Sequence, residues 1–136
     1  MEDGQHTTYF ESFVAHSLYF NDPSGNIVEL IARVSNMTDD PEFSRISEVG
    51  FVCNELDDVY QALINHHLTT HEARSFSPEG LNFMCDSDDE CYILLTPENK
   101  KWFFSDKAST AFPIAIETQD FKLTYDDKHQ WSLVSL

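Results

Sequence analysis

Residues 46–96 spell a strand, a helix and three further strands, and few folds accept that order in so short a span. The stretch 46–53 is rich in β-branched and aromatic residues and reads as a strand. A helix follows, with Asn54 as its expected cap and Glu55, Asp57 and Asp58 in its first turns, where negative charge is favourable. Leu56, Val59, Tyr60 and Leu63 recur at helical spacing and define a buried stripe. His66 and His67 close the helix at the end where a cationic imidazole is favoured. Strands are expected near 69–74, 80–85 and 90–96, separated by the turns Ser77-Pro78-Glu79-Gly80 and Asp86-Ser87-Asp88-Asp89.

Upstream, 13–20 and 26–34 read as a hairpin around Asn21-Asp22-Pro23-Ser24-Gly25, where Asp and Asn start turns, Pro sets φ and Gly accepts φ > 0. Residues 1–8 read as a polar, frayed end and 35–45 as a linker. Downstream, 97–110 is a loop with Trp102-Phe103-Phe104 as an inserted anchor, packing against a core or interface or lining a pocket. Strand-like runs follow at 112–118, 121–125 and 131–136, with Asp126-Asp127-Lys128-His129 as a turn. The hairpin repeats the end of the 46–96 unit, so the chain carries one and a half copies of one pattern. The expected divisions are 1–37, 38–97 and 98–136.

Composition narrows the function classes. Hydrophobic residues make up 41% and aromatics 13%, including eleven Phe, so this acidic chain can build a core and does not read as a disordered tail. The net charge of −16 repels phosphate backbones and anionic bilayers, which argues against nucleic-acid and membrane partners. Cys53, Cys85 and Cys91 are an odd set with no CxxC pair, as expected of reduced thiols in a cytoplasmic protein. His66, His67 and His71 cross from a helix end into a strand, a spacing that does not suit one shared metal. The run 86–90 lacks the glycine and final bidentate Glu of a calcium loop and reads as a solvated turn.

The run Tyr19-Phe20-Asn21-Asp22-Pro23-Ser24-Gly25-Asn26-Ile27-Val28-Glu29-Leu30 resembles the closing hairpin of a glyoxalase/bleomycin-resistance/dioxygenase (vicinal oxygen chelate) module. Glu48-Val49-Gly50-Phe51-Val52 and its helix resemble the opening of the next module, and 86–95 sits where that module's closing hairpin belongs. Trp102-Phe103-Phe104 and Phe112-Pro113-Ile114 resemble a C-terminal extension found in some members. The resemblance covers roughly residues 12–118. It implies an α+β fold of βαβββ modules, the first shortened at its N-terminus, with a C-terminal β extension.

Family enzymes hold one divalent metal in a curved cleft, with ligands from the first and last strands of each module. The resemblance places Glu29 at the last-strand position of the first module, as ligand or catalytic carboxylate, and Glu48 at the first-strand position of the second. It places Ile93, which cannot bind metal, at the second module's last-strand position. A carboxylate between Ile27 and Ile31 is costly unless it is paired or binds a cation. His16 joins Glu29 as a metal ligand if the hairpin pairs residues 18 and 29; a slip of one residue puts His16 on the opposite face.

Two readings of function follow. One is a small-molecule binding module with a degenerate metal site. The other is a divalent-metal-dependent lyase, isomerase or dioxygenase using Glu29 and Glu48 with one of Mg²⁺, Mn²⁺, Zn²⁺, Fe²⁺ or Ni²⁺. A third possibility is an assembly or regulatory role with no ligand. A sheet lacking its opening strand exposes an edge, so a homodimer through that edge or through facing modules is expected, unless the tail strands 112–136 cover it.

Overall fold

The computed structural model describes residues 7–34, 43, 45–86 and 91–136. The chain divides into two compact units, one of residues 1–45 with 102–106, the other of residues 46–101 with 107–136. It is an α+β chain whose described residues hold ten strands in three sheets and one α-helix.

The first unit is an antiparallel sheet in the order β1 (Thr7–Phe10), β2 (Ala15–Asn21), β3 (Ile27–Arg33). Thr7 and Thr8, expected in a frayed end, pair instead with Leu18 and Ser17. The turn into β2 ends at Val14, whose φ of 46° is unfavourable for a β-branched residue. Asp22 pins the β2–β3 turn. Its carboxylate accepts from the Asn26 backbone N–H at 2.8 Å and from Asn26 Nδ2 at 2.8 Å. The Asn26 side chain first, then its backbone, hold the Asp22 carboxyl below the usual carboxylate range. Gly25 completes the turn at φ 86°, a region that suits glycine.

That turn sets the register: Tyr19 faces Glu29, Leu18 faces Leu30 and His16 faces Ala32. Residues directly opposite share a face. One face therefore carries Ser17, Tyr19, Ile27, Glu29 and Ile31, and the other carries Tyr9, His16, Leu18, Phe20, Val28 and Leu30. The expected linker at 35–45 lies almost wholly outside the described residues.

The second unit contains the expected module. β4 (Glu48–Val52) is followed by α1 (Leu56–Asn65), β5 (Thr69–Thr70), β6 (Asn82–Cys85) and β7 (Tyr92–Thr96). The sheet order is β4-β7-β6-β5, with β4 parallel to β7 and the other pairs antiparallel. The strand expected over 69–74 is only two residues of β, because 71–73 turn helically with Glu72 and Ala73 at positive φ. Most of the expected acidic turn at 86–89 lies outside the described residues.

The first unit's three strands repeat the arrangement of β5, β6 and β7. What it lacks, among the described residues, is a counterpart of β4 and α1. The sequence suggested two surviving strands; three are present.

The helix differs from expectation at its start. Its N-cap is Glu55, which makes no side-chain cap hydrogen bond. Asn54 instead donates from Nδ2 to Glu98 Oε2 at 3.1 Å. Glu98 also accepts the Ala111 N–H at 3.2 Å, and Ala111 first, then Asn54, hold its carboxyl below the usual range. A carboxyl with a depressed pKa in the folded state stabilises above its unfolded pKa and loses that contribution as pH falls through its folded value. Urea midpoints of wild type and Glu98→Gln, compared between neutral and acidic pH, should therefore converge as Glu98 protonates.

At its C-terminus the helix closes with the Leu68 N–H on the Leu63 carbonyl (3.2 Å) and the His67 N–H on the Ile64 carbonyl (3.0 Å). This is a Schellman closure with His67 in the left-handed region at φ 68°. Glycine avoids the Cβ penalty there, so His67→Gly should raise unfolding stability by about 1 kcal/mol in urea titration.

One face of the second unit's sheet is its core. Phe51, Met84 and Leu95 are fully buried, together with Val59 and Leu63 of α1. β8 (Ile114–Glu117), β9 (Phe121–Tyr125) and β10 (Trp131–Ser135) form a separate antiparallel sheet in the order β10-β9-β8. Phe121, Leu123 and Tyr125 are buried, and Tyr125 meets Phe51 edge-on with centroids 6.0 Å apart. The tail strands thus share a core with the module, and their ladder does not extend the β1–β3 sheet.

Candidate functional site

In the first unit, Glu29 Oε1 accepts the Tyr19 hydroxyl at 2.6 Å. That length is typical of an O–H···O⁻ bond. A carboxylate between two isoleucines therefore has a partner, and it is the phenol across the strand pair. Tyr19 packs on Phe104 at 5.3 Å between centroids, and Phe104 meets Phe10 at 6.3 Å. Phe104, from the aromatic run expected as an anchor, thus packs on the Glu29-bearing face. Phe104 stands at φ 56°. A bulky residue in this region carries strain, on the order of 1–3 kcal/mol, and persists only where its surroundings hold it.

Tyr19, Phe20, Asn21, Ile27, Phe103, Phe104 and Ser105 line an open recess of about 50 Å³ in the same unit. Sequence reasoning flagged the aromatic run but had no means of pairing it with Tyr19.

His16 is not part of this arrangement. The hairpin takes the register one residue away from the one that would join it to Glu29, so His16 lies on the opposite face. It meets Tyr9 there at a tilt of 46°, centroids 4.8 Å apart. The expected sharing of a metal by His16 and Glu29 is corrected by that ladder.

In the second unit, Glu48 pairs with Tyr92 and so lies on the sheet face opposite Phe51 and Leu95. Tyr92 Oη and His71 Nδ1 are 3.1 Å apart, and their rings meet edge-on at 5.3 Å. Phe83 meets Tyr92 edge-on at 6.0 Å. The His71–Tyr92 contact was not anticipated, and no motif marks it. Ile93 pairs with Val49 and Met84 and belongs to the core face. The β7 residues on the Glu48 face are Tyr92, Leu94 and Thr96.

Cys53 is not an activated nucleophile. Burial, reinforced by the charge of Glu55, pushes the Cys53 thiol up to about 12, which keeps it protonated. None of Cys53, Cys85 and Cys91 forms a disulfide among the described residues.

A divalent metal of the kind the family uses needs several hard or imidazole donors around one point. Among the described residues no three His, Cys, Asp or Glu side chains come together in that way. Glu29 accepts a phenol hydroxyl, and Glu48 stands opposite Tyr92 in the β4–β7 ladder. Among the described residues, the donors within either unit do not form a set that fits such an ion.

No described helix is long and apolar enough to cross a membrane. No curated protein matches the chain. The family model of the toxoflavin-degrading enzyme matches residues 46–100, which bracket β4 to β7, and this match is consistent with the vicinal oxygen chelate superfamily.

Proposed function

We propose that the chain is a small-molecule binding module of the vicinal-oxygen-chelate kind, taking an apolar or aromatic ligand on the Glu29-bearing face. The observation that supports this reading is the aromatic recess beside the Tyr19–Glu29 hydrogen bond. Tyr19, Phe103 and Phe104 present ring faces and edges to a flat ligand. The Tyr19–Glu29 pair supplies one polar contact to orient it. Ligand pockets usually run to about 300–1,000 Å³. A recess of about 50 Å³ grips one edge of a ring, so modest affinity is expected. Saturating binding is still measurable: at ten times Kd, a ligand specific for the folded state adds about 1.4 kcal/mol. Thermal melting against a panel of planar aromatic compounds should give upward shifts that Tyr19→Ala removes. A panel that leaves the wild-type melting temperature unmoved overturns this reading.

The match to a family named for degradation favours a second reading, a divalent-metal-dependent lyase, isomerase or dioxygenase using Glu29 and Glu48. Calorimetric titration of untagged protein with Mn²⁺, Zn²⁺ and Ni²⁺ separates the two. Stoichiometric binding that Glu29→Gln abolishes supports the enzyme, and no heat of binding supports the metal-free module.

A further inference from the structure

The recess of the first unit combines aromatic rings with negative charge. Tyr19, Phe20, Phe103 and Phe104 all line it, and the Phe103 and Phe104 rings are tilted at 42° with centroids 6.3 Å apart. Aromatic faces carry the negative part of the ring quadrupole and attract cations within about 6 Å of the centroid. The Tyr19 hydroxyl donates to Glu29 Oε1 at 2.6 Å. A phenol has a single hydrogen to donate, so this corner keeps no O–H for an anionic ligand, and the carboxylate behind it only accepts. Donation to a carboxylate also makes the phenol ring richer in electrons, which strengthens its pull on a cation. The hydrogen bond thus puts the charge of Glu29 behind the recess without cancelling it. Asn21 and Ser105, the other polar lining residues, are uncharged. Asp22 follows Asn21 directly, its carboxylate fixed on the turn by Asn26. Arg33, the cation of β3, is buried at the far end of the strand. It lies six residues from Ile27 of the lining, roughly 20 Å along an extended chain.

We propose that the recess selects an aromatic organic cation, a flat ring system with an N-methylated and permanently positive nitrogen, and rejects anionic analogues. This rests on the ligand reading above and adds the charge that the ligand carries. The rings attract the cation through their faces, and Glu29 attracts it through Tyr19. Size agrees with charge. At ~10–15 Å³ per non-hydrogen atom, a recess of about 50 Å³ admits roughly four such atoms. That is the size of a ring nitrogen with its methyl group and its neighbouring ring carbons. A quaternary nitrogen has no N–H, so it needs no hydrogen-bond acceptor beyond those Glu29 and Tyr19 already use on each other. Its binding asks for ring faces and negative potential.

The test is an amide-resolved NMR titration of the full chain with compounds of one shape and different charge. The probes are cationic N-methylquinolinium, its neutral methyl isomer lepidine and anionic quinaldate, at slightly alkaline pH where lepidine is uncharged. N-methylquinolinium should bind at least ~5-fold more tightly than lepidine, with quinaldate the weakest. Phe103→Leu keeps an apolar side chain but removes a ring face at a residue 56% exposed, and should cut that preference ~2-fold or more. Glu29→Gln should weaken the cation ~3-fold and leave lepidine unchanged. The amide spectrum identifies a variant that fails to fold; if Glu29→Gln does, Phe103→Leu decides. A preference that both variants leave intact is the general pull of a chain with net charge −16, and overturns the proposal. Equal affinity for N-methylquinolinium and lepidine overturns it too, while the aromatic-ligand reading stands. Silence from every probe overturns both.

Discussion

Phe51→Ala is expected to cost the second unit about 3–5 kcal/mol, the range for removing a fully buried phenylalanine. Phe51 lies on β4, parallel to β7 and directly beside Leu95, and meets Tyr125 of β9 edge-on. It therefore ties the strand that opens the βαβββ module to the C-terminal sheet. Alanine leaves a cavity between two sheets whose ladders do not connect, so neither can easily shift to fill it. Urea unfolding should show a large fall in midpoint with little change in slope. A loss below about 1 kcal/mol would mean that the module and the tail strands do not share a core.

The second large effect concerns the recess. Phe104→Ala removes the ring that covers Tyr19 and meets Phe10. Because alanine also resists the left-handed region, the strain at φ 56° remains and only packing is lost. The stability cost should be about 1–2 kcal/mol for this half-buried ring. Phe104→Gly relieves the backbone and should recover a good part of it. Ligand affinity should follow neither recovery. Both variants lose one wall of the recess, and an aromatic ligand should bind at least ~10-fold more weakly to each, a change of about 1.4 kcal/mol. Stability that differs between Ala and Gly while affinity stays equally low separates a binding role for the ring from a purely structural one.

Much of the fold was legible because its periods change where its elements change. The alternating run before Asn54, the helical recurrence of Leu56, Val59 and Leu63, and the turn residues after it specified strand, helix and strands in order. The first strand escaped because Thr7–Phe10 is four residues long and leads directly into a helical turn ending at strained Val14. Neither has a distinctive pattern. The helix cap escaped because Asn54 is drawn to Glu98, forty-four residues away, a competition no local rule anticipates.

The site was legible in part. Glu29 stood out as a carboxylate among isoleucines, and that conflict is resolved by Tyr19. The register that decides which residues share its face was left open between two choices, and a slip of one residue flips a whole strand. A usable signal lay in the turn: Asp22 with Asn26 four residues on closes a loop whose ends must pair, which sets Tyr19 against Glu29. Ile93 was placed by analogy with a closing hairpin that lacks Pro and Gly; the ladder pairs it with Val49 and Met84, on the face that holds Phe51 and Leu95.

The most direct test is an amide-resolved NMR titration of the full chain with a planar aromatic compound that raises its melting temperature. Shift changes should cluster at Tyr19, Phe20, Asn21, Ile27 and Glu29 and at Phe103 to Ser105, and should vanish in Phe104→Ala. Saturable changes confined to other parts of the chain, with those residues silent, would contradict the placement of a ligand on the Glu29-bearing face.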